Sequence, residues 1–331
     1  MNRLNVFFFL GRFFRKPTVY AVSFFLVLSM PLFSALHASE PEFSVIAPLA
    51  SKSLLMGGVF TDGRAVVVGE RGHILYSDDQ GDTWTQARVP TIATLTGVYF
   101  HDKNLGWAVG HDAVILRTTD GGKNWERVHF APEEERPLFD VWFKDDKNGV
   151  AIGAYGFFLT TIDGGISWIS KMISEDDWHL NQIKVSETGR LYIAGEAGMF
   201  YRSDDGGETW INLPTPYNGS FFGTLPIGGD SVLLFGLRGN LYRSEDAGEN
   251  WQTITTHTKS MLNYGISLPD GRIFIMGLGG TMLVSNDDGK SFTLRKQPDR
   301  RGILRALPIE NNELILVGQG GVKKISIGEK E

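Results

Sequence analysis

The chain has 331 residues, 32 of them basic and 38 acidic, a formal net charge of -6 and no cysteine. Without cysteine there is no disulfide, no thiolate metal site and no lipidated thiol, and the acidic balance excludes the electrostatic footprint of a nucleic-acid binder. The histidines beyond residue 38, His73, His101, His111, His129, His179 and His257, show no H-x-x-x-H spacing, and the acid-rich segments lack a calcium loop, so the expectation is neither metal nor cofactor.

Residues 1–38 differ in character from the rest of the chain. Arg3, Arg12, Arg15 and Lys16 precede an apolar run of 17 residues, Thr18 to Ser34, and Ala35-Leu36-His37-Ala38 offers a small residue for cleavage. This is the pattern of a secretory signal, and it implies an exported protein, periplasmic, lumenal or extracellular. The run is close to the shortest membrane span and Leu36 departs from the small residue preferred there, so an uncleaved anchor is the alternative. Removing the segment takes four of the 32 basic residues and none of the 38 acidic ones, leaving 28 minus 38, or -10.

Residues 39–331 read as one domain built from a repeat. The pattern [ST]-x-D-x-G-x-[STN]-[WF] ends at Trp84, Trp125, Trp168, Trp210, Trp251 and Phe292, spaced 41, 43, 42, 41 and 41 residues apart. Its turn-forming carboxylates are assigned to Asp78, Asp120, Asp163, Asp205, Asp246 and Asp287. A second landmark, G-x-x-[GA], opens at Gly69, Gly110, Gly153, Gly195, Gly236, Gly277 and Gly318, each of the first six lying 15 residues before a box aromatic. Periods near 41 belong to propeller blades or solenoid units.

Within the unit from Leu95 to Trp125, β-branched and aromatic runs separated by Asp, Asn and Gly predict strands at about 95–100, 105–110, 114–119 and 124–130. The G-x-x-G pair makes the hairpin between the second and third strands, where glycine takes φ > 0, and the Asp box makes the next one. Antiparallel four-stranded units at this period predict an all-β, seven-bladed β-propeller. The last unit ends without a box, whereas Phe43 to Pro48 carries an aromatic in box register. These two fragments predict a ring closed by pairing Phe43 to Pro48 with Val322 to Ile327.

The phrases NLGWAVGHDAVILRTTDGGKNW and DDKNGVAIGAYGFFLTTIDGGISW resemble the repeats of the photosystem II stability and assembly factor-like β-propellers, a branch of the Asp-box, or bacterial neuraminidase repeat, proteins. The resemblance implies an exported, non-catalytic, monomeric propeller that binds protein and assists the assembly of membrane complexes. Asp-box glycoside hydrolases of the sialidase or xyloglucanase kind are the alternative. Tyr155, Glu70 and Glu196 fall in turns near the expected central opening, yet an Arg-Ile-Pro motif is missing, the nearest text being Arg136-Pro137. Exposed turn residues are the simpler reading, and no catalytic residue is assigned.

Alternating strand directions place the G-x-x-G turns and the inter-blade connections on one face. Both insertions in the repeat, Phe130 to Pro137 and Ile173 to His179, fall in such connections. Insertions on one face of a repeat protein mark its binding face. That face is expected to carry an acidic arc (Glu133, Glu134, Glu135, Glu175, Asp176, Asp177), a basic arc (Arg71, Arg238, Arg300, Arg301, Arg305) and aromatic anchors at Trp178, Tyr217, Phe221 or Phe222.

Overall fold

A computed structural model describes residues 41–328, so the expected signal lies outside the described residues. The described residues form six four-stranded antiparallel sheets and one of three strands, a seven-bladed β-propeller. Blade two runs Leu95–Phe100, Gly106–Gly110, Ile115–Thr118 and Glu126–His129 from the axis outward, close to the strands expected from its sequence.

Strand periodicity explains how the blades join. Successive side chains point to opposite faces of a sheet, so Val66 and Val68 of the second strand of blade one face blade two, while Ala65 and Val67 face blade seven. Each blade boundary thereby encloses its own apolar cluster. The ring closes through the same device, with Leu55, Val67 and Leu75 of blade one packed on Leu307, Ile315 and Val317 of blade seven.

The expected closing strand is not there. Among the described residues blade seven has the three strands Ile303–Ile309, Glu313–Gly318 and Gly321–Ser326. Phe43 to Ala47 instead lies along the outer part of blade one. Ser44 N–H donates to Val89 O (2.9 Å), Ala47 N–H donates to Gln86 Oε1 (2.9 Å), and the Arg88 guanidinium covers the Phe43 ring. The side-chain amide of Gln86, which also donates to Val45 O, holds the segment without ladder bonds. An apolar cluster at every blade boundary, the one between blades one and seven included, holds the ring without a fourth strand in blade seven among the described residues.

One irregularity recurs in every blade. The innermost strand shifts register between its first and third residues, as between Leu55 and Gly57 or Leu138 and Asp140. Such bulges re-aim side chains. The third position is occupied, blade by blade, by Gly57, Gly97, Asp140, Gln182, Gly223, Tyr264 and Arg305.

Candidate binding face

In the first G-x-x-G turn His73 N–H donates to Glu70 O across two left-handed residues, and the two glycines of the motif have different jobs. Gly69 is extended (φ -172°); a Cβ there would collide with the Leu54 carbonyl oxygen, to which Glu70 N–H donates. Positive φ falls on the third and fourth residues of the turn, such as Arg71 (56°) with Gly72 (68°), or Arg238 (58°) with Gly239 (73°). A left-handed residue other than glycine carries a steric cost, yet these turns keep arginine. Arg300, in the connection from blade six to blade seven, is left-handed as well (φ 55°). All three side chains are exposed and none has an ion-pair partner among the described residues.

The acidic residues occupy the expected connections. Pro132–Glu134 forms a 3-10 turn closed by left-handed Glu135, and Glu175, Asp176 and Asp177 are exposed in the next connection. Arg136 pairs with Glu134 and covers the Phe157 ring, which partly neutralises the first cluster. Trp178 stands exposed. Tyr217 is half-buried with its ring edge-on to Phe221, and Phe221 is wholly buried. Phe221 is therefore a core residue, not an anchor, because the first position of every innermost strand faces a blade boundary.

Arg305 is not on the rim. It stands at the third position of its innermost strand, half-buried, with its guanidinium 4.8 Å from the centre of the Tyr264 ring. Lys184 Nζ lies at the same distance from that ring. Asp140 completes the group. Its carboxylate accepts from Val141 N–H (3.0 Å) and from Ile183 N–H of the next blade (3.2 Å). Burial pushes the Asp140 carboxyl above the usual carboxylate range, opposed by the charges of Arg305 and Lys184. Sequence reading missed Lys184, Tyr264 and Asp140 because their alignment depends on the bulge. For Asp140 and Tyr264 the available signal was a polar residue at one fixed repeat position amid apolar neighbours; Lys184 lies two residues beyond that position.

The Asp boxes lie on the opposite face as turn formers. In blade two, Asp120 accepts from Lys123 N–H, Asn124 N–H and the Asn124 amide, while Trp125 Nε1–H donates to Gly122 O. The first box needs a correction. Asp79, not Asp78, accepts from Thr83 N–H and the Thr83 hydroxyl, since the pattern counted from Ser77 puts its Asp at the third place. Asp78 is free to pair with Arg64 at 2.6 Å. Asp163, Asp205, Asp246 and Asp287 occupy their boxes as expected.

The residues weighed for hydrolysis serve backbone roles. Glu70 Oε1 accepts from Leu54 N–H at 3.1 Å, and Glu196 lies against His179, whose ring meets Tyr155 edge-on. Each carboxylate thus holds the connection entering its own blade.

The chain's matches to known proteins agree with this architecture. The model of the family described as photosynthesis system II assembly factor YCF48 matches residues 48–137 and 132–266. A photosystem II assembly lipoprotein Ycf48 of Trichormus variabilis is 40% identical over 130 residues, 38% of this chain and 38% of that protein. The match therefore spans well under half of that relative. Among solved structures, YCF48 bound to D1 peptide superposes with a TM-score of 0.68 at 19% identity, covering 89% of this chain and 99% of that one. A streptogramin B lyase reaches a TM-score of 0.71 at 12% identity, covering 86% and 96%, so likeness of fold does not decide activity. With its family model matched over most of its length, this chain belongs to the photosynthesis system II assembly factor YCF48 family.

Proposed function

We propose that the protein is an exported, non-catalytic and monomeric assembly factor whose connection face holds an acidic soluble segment of a membrane protein complex, photosystem II by family. The observation that carries this reading is the set of arginines Arg71, Arg238 and Arg300, without an ion-pair partner among the described residues, two of them kept in left-handed turn positions where glycine would cost less. Arginine grips carboxylates in a two-pronged fashion. The acidic clusters at Glu133 to Glu135 and Glu175 to Asp177 sit on other connections of the same face and orient the partner, with Trp178 as an exposed anchor.

A relative is named a photosystem II assembly lipoprotein, and a structural neighbour is described as bound to D1 peptide. Both support the reading. The 331 residues contain no cysteine for a lipid thioether, so export rests on the signal at residues 1–38, retained or cleaved. No helix among the described residues is long and apolar enough to cross a membrane.

The test is a titration of the purified protein with an acidic segment of the D1 protein. Saturable binding that is lost in the Arg71→Glu, Arg238→Glu, Arg300→Glu triple variant is expected. Absence of binding, or hydrolysis of sialosides or β-glucans abolished by Glu70→Gln or Glu196→Gln, would overturn the proposal.

A further inference from the structure

Blade seven is the one blade whose third strand has no fourth strand beside it among the described residues. The gap reaches into the packing. In the other blades the box aromatic reaches back across the boundary to the preceding blade, as Trp125 does when it joins Val66 and Val68 of blade one and meets Phe100 edge-on at 6.1 Å. Among the described residues blade seven brings no such ring to its boundary with blade six. There Phe274, Met282, Val284, Ile325 and Ile327 line a hollow of about 650 Å³. A second hollow of about 560 Å³, reaching Val322 and Trp84, lies on the side of blade one.

The backbone is equally open. Val322 holds the register position of Ile74, Phe200 and Leu241. Those three carbonyls accept from Ala87, Leu213 and Ile254 N–H of their outer segments at 2.9 Å. Val322 O has no such donor among the described residues, and by strand alternation Lys324 presents its peptide groups on the same side. Unpaired edges invite another strand.

We propose that Gly321–Ser326 is a docking edge that takes an acidic extended segment of a partner protein as a fourth antiparallel strand, with one aromatic side chain of that segment filling the hollow between blades six and seven. This is strand addition, in which main-chain bonds give affinity and pockets give selectivity. Charge selects the occupant. Lys52, Arg295 and Arg301 line the two hollows without an ion-pair partner among the described residues, in a chain whose net charge is -6. Lys323 and Lys324 add two more cations, paired with Asp299 and Asp82. The chain's own residues 1–38 are excluded by sign, carrying Arg3, Arg12, Arg15 and Lys16 and no acid. A second copy of the edge would set Lys323 and Lys324 against their own kind, which is unfavourable.

The test uses the full chain and a labelled synthetic peptide alternating Thr and Glu around one Trp, followed by fluorescence anisotropy. Binding is expected for this peptide and not for versions with Lys in place of Glu or with Pro at alternate positions. Lys324→Pro removes an outward N–H at an edge position that tolerates proline. It is expected to weaken binding about tenfold or more, whereas Lys324→Ala keeps most of it. If Lys324→Pro does not fold, Val284→Trp, which fills the hollow, is expected to give the same loss. Lys103→Glu with Lys123→Glu, in the exposed turns of blade two, leaves this binding unchanged, which separates the edge from general attraction between charges. Equal affinity in the edge variants and the parent, loss in the turn variants, or no binding of the acidic peptide would overturn the proposal. So would hydrogen exchange in the free protein showing the Val322 to Ser326 amides as protected as those of Ile74–Ser77.

Discussion

Lys184 Nζ sits 4.8 Å from the centre of the Tyr264 ring, although the two residues belong to blades four and six. Blade five, which stands between them, carries no side chain at its bulge position, Gly223. Arg305 of blade seven approaches the same ring at 4.8 Å, so three blades are joined at the axis through one tyrosine. A cation over an aromatic face contributes roughly 0.5–1 kcal/mol when partly exposed. Tyr264→Leu is therefore expected to cost about 1–2 kcal/mol in a denaturant titration, and Tyr264→Phe under about 0.5, since the ring carries the attraction. A double-mutant cycle with Arg305→Met measures the coupling directly.

The Asp boxes set the acid limit of the fold. Hydrogen bonds from the Ser167 hydroxyl and then Ser167 N–H hold the Asp163 carboxyl down to about 2, and the Thr83 hydroxyl and N–H do the same for Asp79. In an unfolded chain these groups titrate near ~3.9. Because the folded values are depressed, the contribution is full above about pH 4 and is lost as pH falls toward about 2. Asp163→Asn removes one such titration, and a shallower slope of stability against pH in that window is expected by urea unfolding.

Arg238→Gly separates folding from binding. The left-handed backbone at Arg238 (φ 58°) costs an L-residue about 1–2 kcal/mol, partly offset by the ~0.5–1 kcal/mol entropic cost of glycine. Stability unchanged or raised by about 1 kcal/mol is expected, together with weaker binding of the acidic partner. A clear fall in melting temperature would show that the side chain is structural.

Ring closure rests on packing between blades one and seven. Leu307→Ala, within the Leu55, Val67 and Ile315 cluster, is expected to cost about 2–5 kcal/mol. Deleting residues 41–47, which touch blade one through a few hydrogen bonds and the Phe43 ring, should cost less. The reverse order would restore the closing role expected for Phe43 to Pro48.

The propeller was legible in the sequence because its landmarks are physical necessities repeated seven times. Gly69 and its counterparts admit a carbonyl where a side chain cannot fit, and Trp125 and its five counterparts fill six of the seven boundaries. Closure was not legible, since Phe43 matches the box register by spacing alone while Gln86 and Arg88 capture it one blade away. Arg305 looked like a rim residue because chain distance cannot reveal that a bulge turns it to the axis. Arg71 and Arg238 stand exposed in turns whose geometry is common to the blades, so their place in the chain followed from the repeat.

The measurement that tests the account most directly is the association rate of an acidic D1 segment, followed by stopped flow across a range of salt concentrations. Complementary charge mainly accelerates encounter. Reversing Arg71, Arg238 and Arg300 to Glu is predicted to slow association about tenfold or more and to flatten its salt dependence, whereas reversing Lys123 and Lys290 in the Asp boxes of the opposite face leaves both unchanged. Equal effects from the two sets, or none from the first, would contradict the assignment of this face.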